Sequence, residues 1–160
     1  MIARLANGIL AVAGAGLGAQ FPAFYQQYLQ RLGGRLDQAR IEAERIGGAA
    51  EAAGLRVADY VERLIANADP VVRSTGAIHA AALTDARELA SSRAALAGAT
   101  GIERPSAFVG HFDRDIALST LHDFQPALPL TLEAAAYALA GLLLATLLAS
   151  AFATALRARA

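Results

Sequence analysis

The stretch from Ala134 to Leu156, AAAYALAGLLLATLLASAFATAL, runs 23 residues without a charged side chain, and its reading decides the fold. At about 1.5 Å per residue, a helix of this length covers roughly 34 Å, enough to cross a hydrocarbon core of about 30 Å with some tilt. The competing interpretation is the core helix of a soluble protein, but the run exceeds the roughly 18 residues at which a bilayer span becomes the better account. Its entry is well punctuated. Pro126 and Pro129 stop any preceding helix, Thr131 can cap the new one, and Glu133 meets the positive end of its dipole.

At the other end, Leu5 to Phe21 (LANGILAVAGAGLGAQF) is apolar over 17 residues, although it contains Asn7 and four glycines. A cleavable signal is one reading, with Arg4 ahead of the apolar Ile9–Val12 and Gly16-x-Gly18 as the small-residue site. An uncleaved span is the expectation adopted here. Both apolar segments carry small residues at helical contact spacing: Gly14 and Gly18 in the first, and Gly141, Ala145, Ala149 and Ala153 in the second. Such ridges let helix backbones approach closely in lipid, where packing drives association. The spacing leaves open whether the pairing is within one chain or between chains.

The chain has 160 residues, a formal net charge of zero, 56% hydrophobic residues and no Cys. Disorder is excluded by the apolar content, and thiolate chemistry by the missing cysteines. A neutral balance argues against nucleic acid as a partner. Alanine makes up about a quarter of the chain and aromatics 6%, so helices are favoured by propensity more than by bulky cores.

Between the apolar segments, Tyr25, Leu29, Leu32, Leu36, Ala39, Ala43 and Ile46 follow alternating steps of four and three, a heptad seam. Arg31, Arg35, Gln38, Glu42 and Arg45 form the polar side, and Arg40 with Glu44 suggests an i,i+4 pair. Gly47-Gly48 and Gly54 are expected to break the pattern before a second helix over about 55–67, with Val57, Tyr60, Val61 and Leu64 inward. Asp69 can cap a third helix and Pro70 fits its first position. That helix runs to about Ala97, with Val72, Ile78, Ala82, Leu83, Ala86, Leu89 and Leu96 inward. Residues 98–105 form a loop. A fourth amphipathic helix over about 106–123 presents Phe108, Val109, Phe112, Ile116 and Leu121 to the core, a better match than a membrane-surface position because Asp113, Asp115 and Asp123 would be repelled by anionic lipid.

The expected fold is therefore all-α, with two transmembrane helices in a hairpin flanking an extramembrane antiparallel helical bundle. The expected divisions are residues 1–22 for the first span, 23–130 for the helical region, 131–156 for the second span and 157–160 for a tail. Arg157 and Arg159 follow the second span, and no Lys or Arg lies within about fifteen residues before it, so the tail should be cytoplasmic. Two spans then put both termini in the cytoplasm and the central region in the periplasm of a bacterium.

Catalytic chemistry is sparse. His111 and Asp115 stand one helical turn apart, but two ligands do not close a metal site. The AGAGLG run at 13–18 lacks the preceding strand of a dinucleotide motif. Ser106, Ser119 and Thr120 sit in no nucleophile motif. No cofactor or metal is expected, and no catalytic residue is assigned. A periplasmic binding or enzymatic module built on His111, Asp115 and His122 is the remaining alternative of a different kind.

Two stretches carry a resemblance: GAQFPAFYQQYLQRLGGRLDQA over 18–39, and FQPALPLTLE over 124–133 leading into Tyr137 and Gly141. In these the chain resembles an uncharacterised family of small bacterial inner-membrane proteins, a domain of unknown function. Arg35 departs from the pattern at a position where His is expected. The resemblance implies a retained N-terminal span. Gln20, Tyr25, Gln26, Gln27, Tyr28, Leu29, Leu32 and Leu36 are the interaction candidates, at the level where aromatic rings with polar tips are favoured. Membrane lipid and other membrane-protein subunits, or the chain itself, are the expected partners. The expected role is a non-enzymatic accessory, scaffold or assembly subunit of a larger membrane complex, with a homo-oligomeric envelope organiser as the alternative.

Overall fold

The computed structural model describes residues 2–126 and 131–158, without the side chains of 2–7, 152, 153 and 155–158. The described residues are all-helical and contain no strand. The elements are α1 (Ile2–Ala52), α2 (Val57–Ile65), α3 (Pro70–Gly98), α4 (Arg104–Gly110), α5 (Arg114–His122) and α6 (Leu132–Ala158). Two compact units divide them. One contains the chain up to Tyr28 and from Ala117 onward; the other is Leu29–Ile116.

In the first unit the beginning of α1 pairs with α6. Gly14 lies against Gly141 and Ala145, and Gly18 against Tyr137 and Gly141, so the two helices run antiparallel. Both are long and apolar enough to cross a membrane. Only 11% and 6% of the residues in their most apolar stretches are buried, unlike the core helices of a soluble protein. Their outer faces expose Ile9, Val12 and Leu17 on α1 and Leu139, Leu143, Leu144, Leu147 and Leu148 on α6. At its start α6 is capped by Thr131, whose Oγ1 accepts from the Ala134 N–H at 3.1 Å.

α1 does not stop at residue 22. Pro22 lies inside it, although a proline removes one backbone hydrogen bond and its ring crowds the carbonyl four residues back. Here that residue is Gly18. Gly47-Gly48 does not break α1 either. Two glycines cost about 1 kcal/mol each, while Ile46 and Ala50 beside them are 2% and 0% exposed and hold the helix to its neighbours. Termination waits for Gly54, which has φ +69. Its N–H donates to the Glu51 carbonyl at 2.8 Å and the Leu55 N–H to the Ala50 carbonyl at 2.9 Å, the two bonds of a Schellman cap.

In the second unit α3 runs antiparallel to the end of α1, with the Arg93 guanidinium over Gly33 and Ala82 and Asp85 beside Ala39 and Glu42. α2 packs on the start of α3, where Gly76 leaves room for Leu64 and Ile65. Val61 is buried, and Val57, Tyr60 and Leu64 are half-buried. Asp69 caps α3 by accepting from the Val71 N–H at 2.8 Å. Ile78, expected inward, is 66% exposed. The inward residue is His79, half-buried with its ring stacked on Tyr60 at 6.4 Å.

The expected fourth helix is two helices. α4 begins earlier, with Pro105 tolerated in its first turn, and ends at Gly110. Asp113 then starts α5 by accepting from the Ile116 N–H at 2.9 Å. A side chain that caps cannot continue the preceding helix, so the break falls between them. Of the expected apolar face, Ile116 is 2% exposed, but Val109, Phe112 and Leu121 are 77%, 52% and 62% exposed.

Candidate interaction site

The small residues of the two apolar helices make one crossing. A Cβ added to Gly18 would fall on the Tyr137 carbonyl oxygen, and one added to Gly141 on the Gly14 carbonyl oxygen. A Cβ on Gly14 would meet the Ala145 methyl and lie 2.6 Å from the Gly141 carbonyl oxygen. Each glycine therefore turns its Cα–H groups towards a carbonyl of the other helix, the geometry of weak Cα–H···O contacts worth about 0.5–1 kcal/mol each. Ala149 is half-buried two turns beyond Gly141. The side chain of Ala153 lies outside the described residues.

Beyond the crossing an aromatic cluster joins the helices. The Phe21 ring lies 5.0 Å from that of Tyr137 and 5.8 Å from that of Tyr25. Phe24 lies 5.8 Å from Phe124, edge-on, and 6.5 Å from Tyr28. Such pairs add about 0.5–1.5 kcal/mol each to the burial of their surface. A polar clamp completes it: the Gln27 amide donates to the Gln125 carbonyl at 2.9 Å and accepts from the Gln125 N–H at 3.2 Å. Sequence reasoning missed Phe124 and Gln125 as its partners. Their signal was the FQP preceding the second span, which reads as a mere linker until α1 is known to pass beside it.

The eight interaction candidates do not form one surface. Tyr25 and Tyr28 are fully buried, and Leu32 and Leu36 are 1% and 2% exposed. Gln20, Gln27 and Leu29 are half-buried; Gln26 is exposed. The reason lies in the heptad seam, which is covered within this chain, so its knobs are not open to a partner. On the polar side Arg40 turns back to Asp37 at 3.8 Å instead of forward to Glu44, and Arg45 pairs with Glu42 at 3.4 Å. Arg35 reaches Asp113, the cap of α5, at 3.8 Å.

The titratable residues singled out in the sequence fall at the ends and starts of α4 and α5. His111 lies past the end of α4 and Asp115 within α5, so the break removes their helical spacing. The His122 Nδ1 meets the Asp123 carboxylate at 2.6 Å. Glu103 and Ser106 share an open depression of about 500 Å³ with His111. However, the Ser106 hydroxyl donates to the Glu103 main-chain carbonyl at 2.8 Å. The Glu103 carboxylate accepts from the Thr100 hydroxyl at 2.7 Å and the Thr100 N–H at 3.0 Å, which hold its carboxyl below the usual range. Among the described residues no group of three His, Cys, Asp or Glu could hold a metal ion.

No curated protein and no solved structure is significantly similar to the chain. A family model does match, over residues 2–160, and its description is a protein of unknown function. Spanning almost the whole sequence, from the glycine ridge of α1 to the end of α6, that match establishes that the chain belongs to the DUF2937 family.

Proposed function

We propose that this protein is a non-enzymatic subunit of the bacterial inner membrane that helps scaffold or assemble a larger membrane complex. The observation that carries the reading is the glycine-sealed helix pair with an outer face rich in exposed leucine. Two helices already closed on each other by backbone contact form a rigid unit whose remaining surface suits lipid or the helices of other subunits. No Asp, Glu, His, Lys or Arg lies between Ala134 and Leu156, so a transport path through the pair lacks the usual intramembrane groups. The arginines at 157 and 159 favour cytoplasmic termini and a periplasmic centre. Self-assembly through the heptad seam is the weaker reading, because Leu32, Leu36, Ile46 and Ala50 have no surface left to offer.

Affinity purification of the chromosomally tagged chain in mild detergent, with native sizing and mass spectrometry, tests the role. A stoichiometric set of membrane subunits is expected. Recovery as a lone monomer overturns it, and recovery as a homo-oligomer supports the envelope organiser instead. For topology, a phosphatase fused near Ala97 should be active and a cytoplasmic fluorescent reporter after Ala160 should shine; the reverse pattern overturns the orientation.

A further inference from the structure

We infer that α5 rests on the bilayer surface beside the paired spans, with Leu118 and Leu121 inserted at the boundary between lipid headgroups and acyl chains. The inference depends on the membrane reading proposed above. α5 buries Ile116, Ala117 and Thr120, at 2%, 8% and 2% exposure, and leaves Leu118 and Leu121 at 50% and 62%. At about 100° per residue, Arg114, Leu118 and Leu121 fall within an arc of about 60° on this helix. Two apolar anchors beside one guanidinium match the pattern of an interfacial helix on anionic lipid.

Two of the three nearby acidic residues are engaged elsewhere. Asp113 is turned to cap the helix, and Asp123 faces His122. Asp115 stands about 100° around the helix from Arg114. The repulsion expected from Asp113 and Asp123 is therefore spent on those local contacts, while Asp115 stands about 60° from Leu118, at the border of the leucine side.

Depth follows from the contacts after α5. The Phe124 ring meets Phe24, which lies three residues, or about 4.5 Å, beyond Phe21 along α1. Phe21 meets Tyr137, which lies one turn inside α6 from Glu133, the last charged residue before the apolar run. Phe24, Phe124 and Glu133 thus share a level at the edge of the apolar stretch. The Phe124 N–H donates to the Leu121 carbonyl at 3.3 Å, which keeps Leu121 within one turn of that level, beside the headgroup layer of roughly 5–8 Å that flanks each side of the hydrocarbon core.

The chain has no Trp, so single tryptophans report without background. Leu118→Trp, Leu121→Trp and Leu144→Trp would each be placed in the full chain and reconstituted into phosphatidylcholine–phosphatidylglycerol vesicles carrying bromine at shallow or deep acyl positions. Leu144→Trp should be quenched most by deep bromines. Leu118→Trp and Leu121→Trp should lose roughly half or more of their emission to shallow bromines. If both remain unquenched while Leu144→Trp is quenched, the inference is overturned and the membrane reading stands. Failure to quench Leu144→Trp overturns the membrane reading itself. Emission at 118 and 121 that is shielded but insensitive to bromine, and that changes with protein density, assigns the face to another protein copy and also overturns the inference.

Discussion

A single methyl group on Gly18 should drive the two apolar helices apart, whereas the same methyl on Gly16, half a turn away, should not. Every Gly→Ala change inside a helix gains about 0.5–1 kcal/mol from the backbone, so this contribution is common to both sites and cancels between them. At Gly16 nothing lies within 4 Å of an added Cβ. At Gly18 the Cβ falls on the Tyr137 carbonyl oxygen, with the Tyr137 carbonyl carbon at 3.0 Å and the Gly141 Cα at 3.3 Å. These are backbone atoms and cannot rotate aside, so the helices must separate by about 1 Å, and overpacking of this kind costs about 1–3 kcal/mol. The lost Cα–H···O contacts add to it. Net of the backbone gain, Gly18→Ala and Gly141→Ala should weaken the pair by about 1–2 kcal/mol, while Gly16→Ala strengthens it by about 0.5–1 kcal/mol. The chain lacks Cys, so dyes on Ile9→Cys and Leu148→Cys, at positions 62% and 63% exposed, can follow helix separation by energy transfer during an SDS titration. Equal midpoint shifts for Gly16→Ala and Gly18→Ala would refute the crossing.

Three further outcomes are expected. Gly76→Ala brings a Cβ within 2.7 Å of the Ile65 nitrogen and 2.8 Å of the Leu64 Cβ, so it should lift α2 from α3 at a cost of about 1–3 kcal/mol, read as faster hydrogen exchange across 57–65. Gly54→Ala forces an alanine to φ +69 and should cost about 1–2 kcal/mol, with the Leu55 amide losing protection first. Glu103 should titrate below an ordinary glutamate, because hydrogen bonds from Thr100 favour its charged form. By linkage, any stability it contributes is present above the unfolded pKa and lost as pH falls through the depressed folded one. An NMR titration that finds no depression, or Thr100→Val leaving it unmoved, would contradict this.

Much of the architecture was legible because it rests on local rules. The apolar run after Glu133, the Thr131 and Asp69 caps and the heptad seam each declare themselves within a few residues. Errors fell where a local signal competed with a distant one. Gly47-Gly48 looks like a stop, yet helix terminators act only weakly when the flanking residues, such as Ile46 and Ala50, are buried. Asp113 looked like a surface charge on one helix and is instead the cap that splits it in two. The interaction candidates could not be sorted into buried and exposed for a related reason: tyrosines and leucines at heptad spacing look alike whether they await a partner or already have one.

The sequence by itself determined that the chain is helical, that two of its segments are apolar enough to cross a bilayer and that small residues line both of them, because propensity, length and periodicity are properties of neighbouring residues. It could not determine which small residues face each other. Only the tertiary structure decided that Gly18 meets Tyr137 and Gly141, that Gln27 clasps Gln125, and that the heptad seam is closed within one chain. Those pairings depend on the register of segments far apart in sequence, set by the summed packing of both surfaces and encoded at no single position.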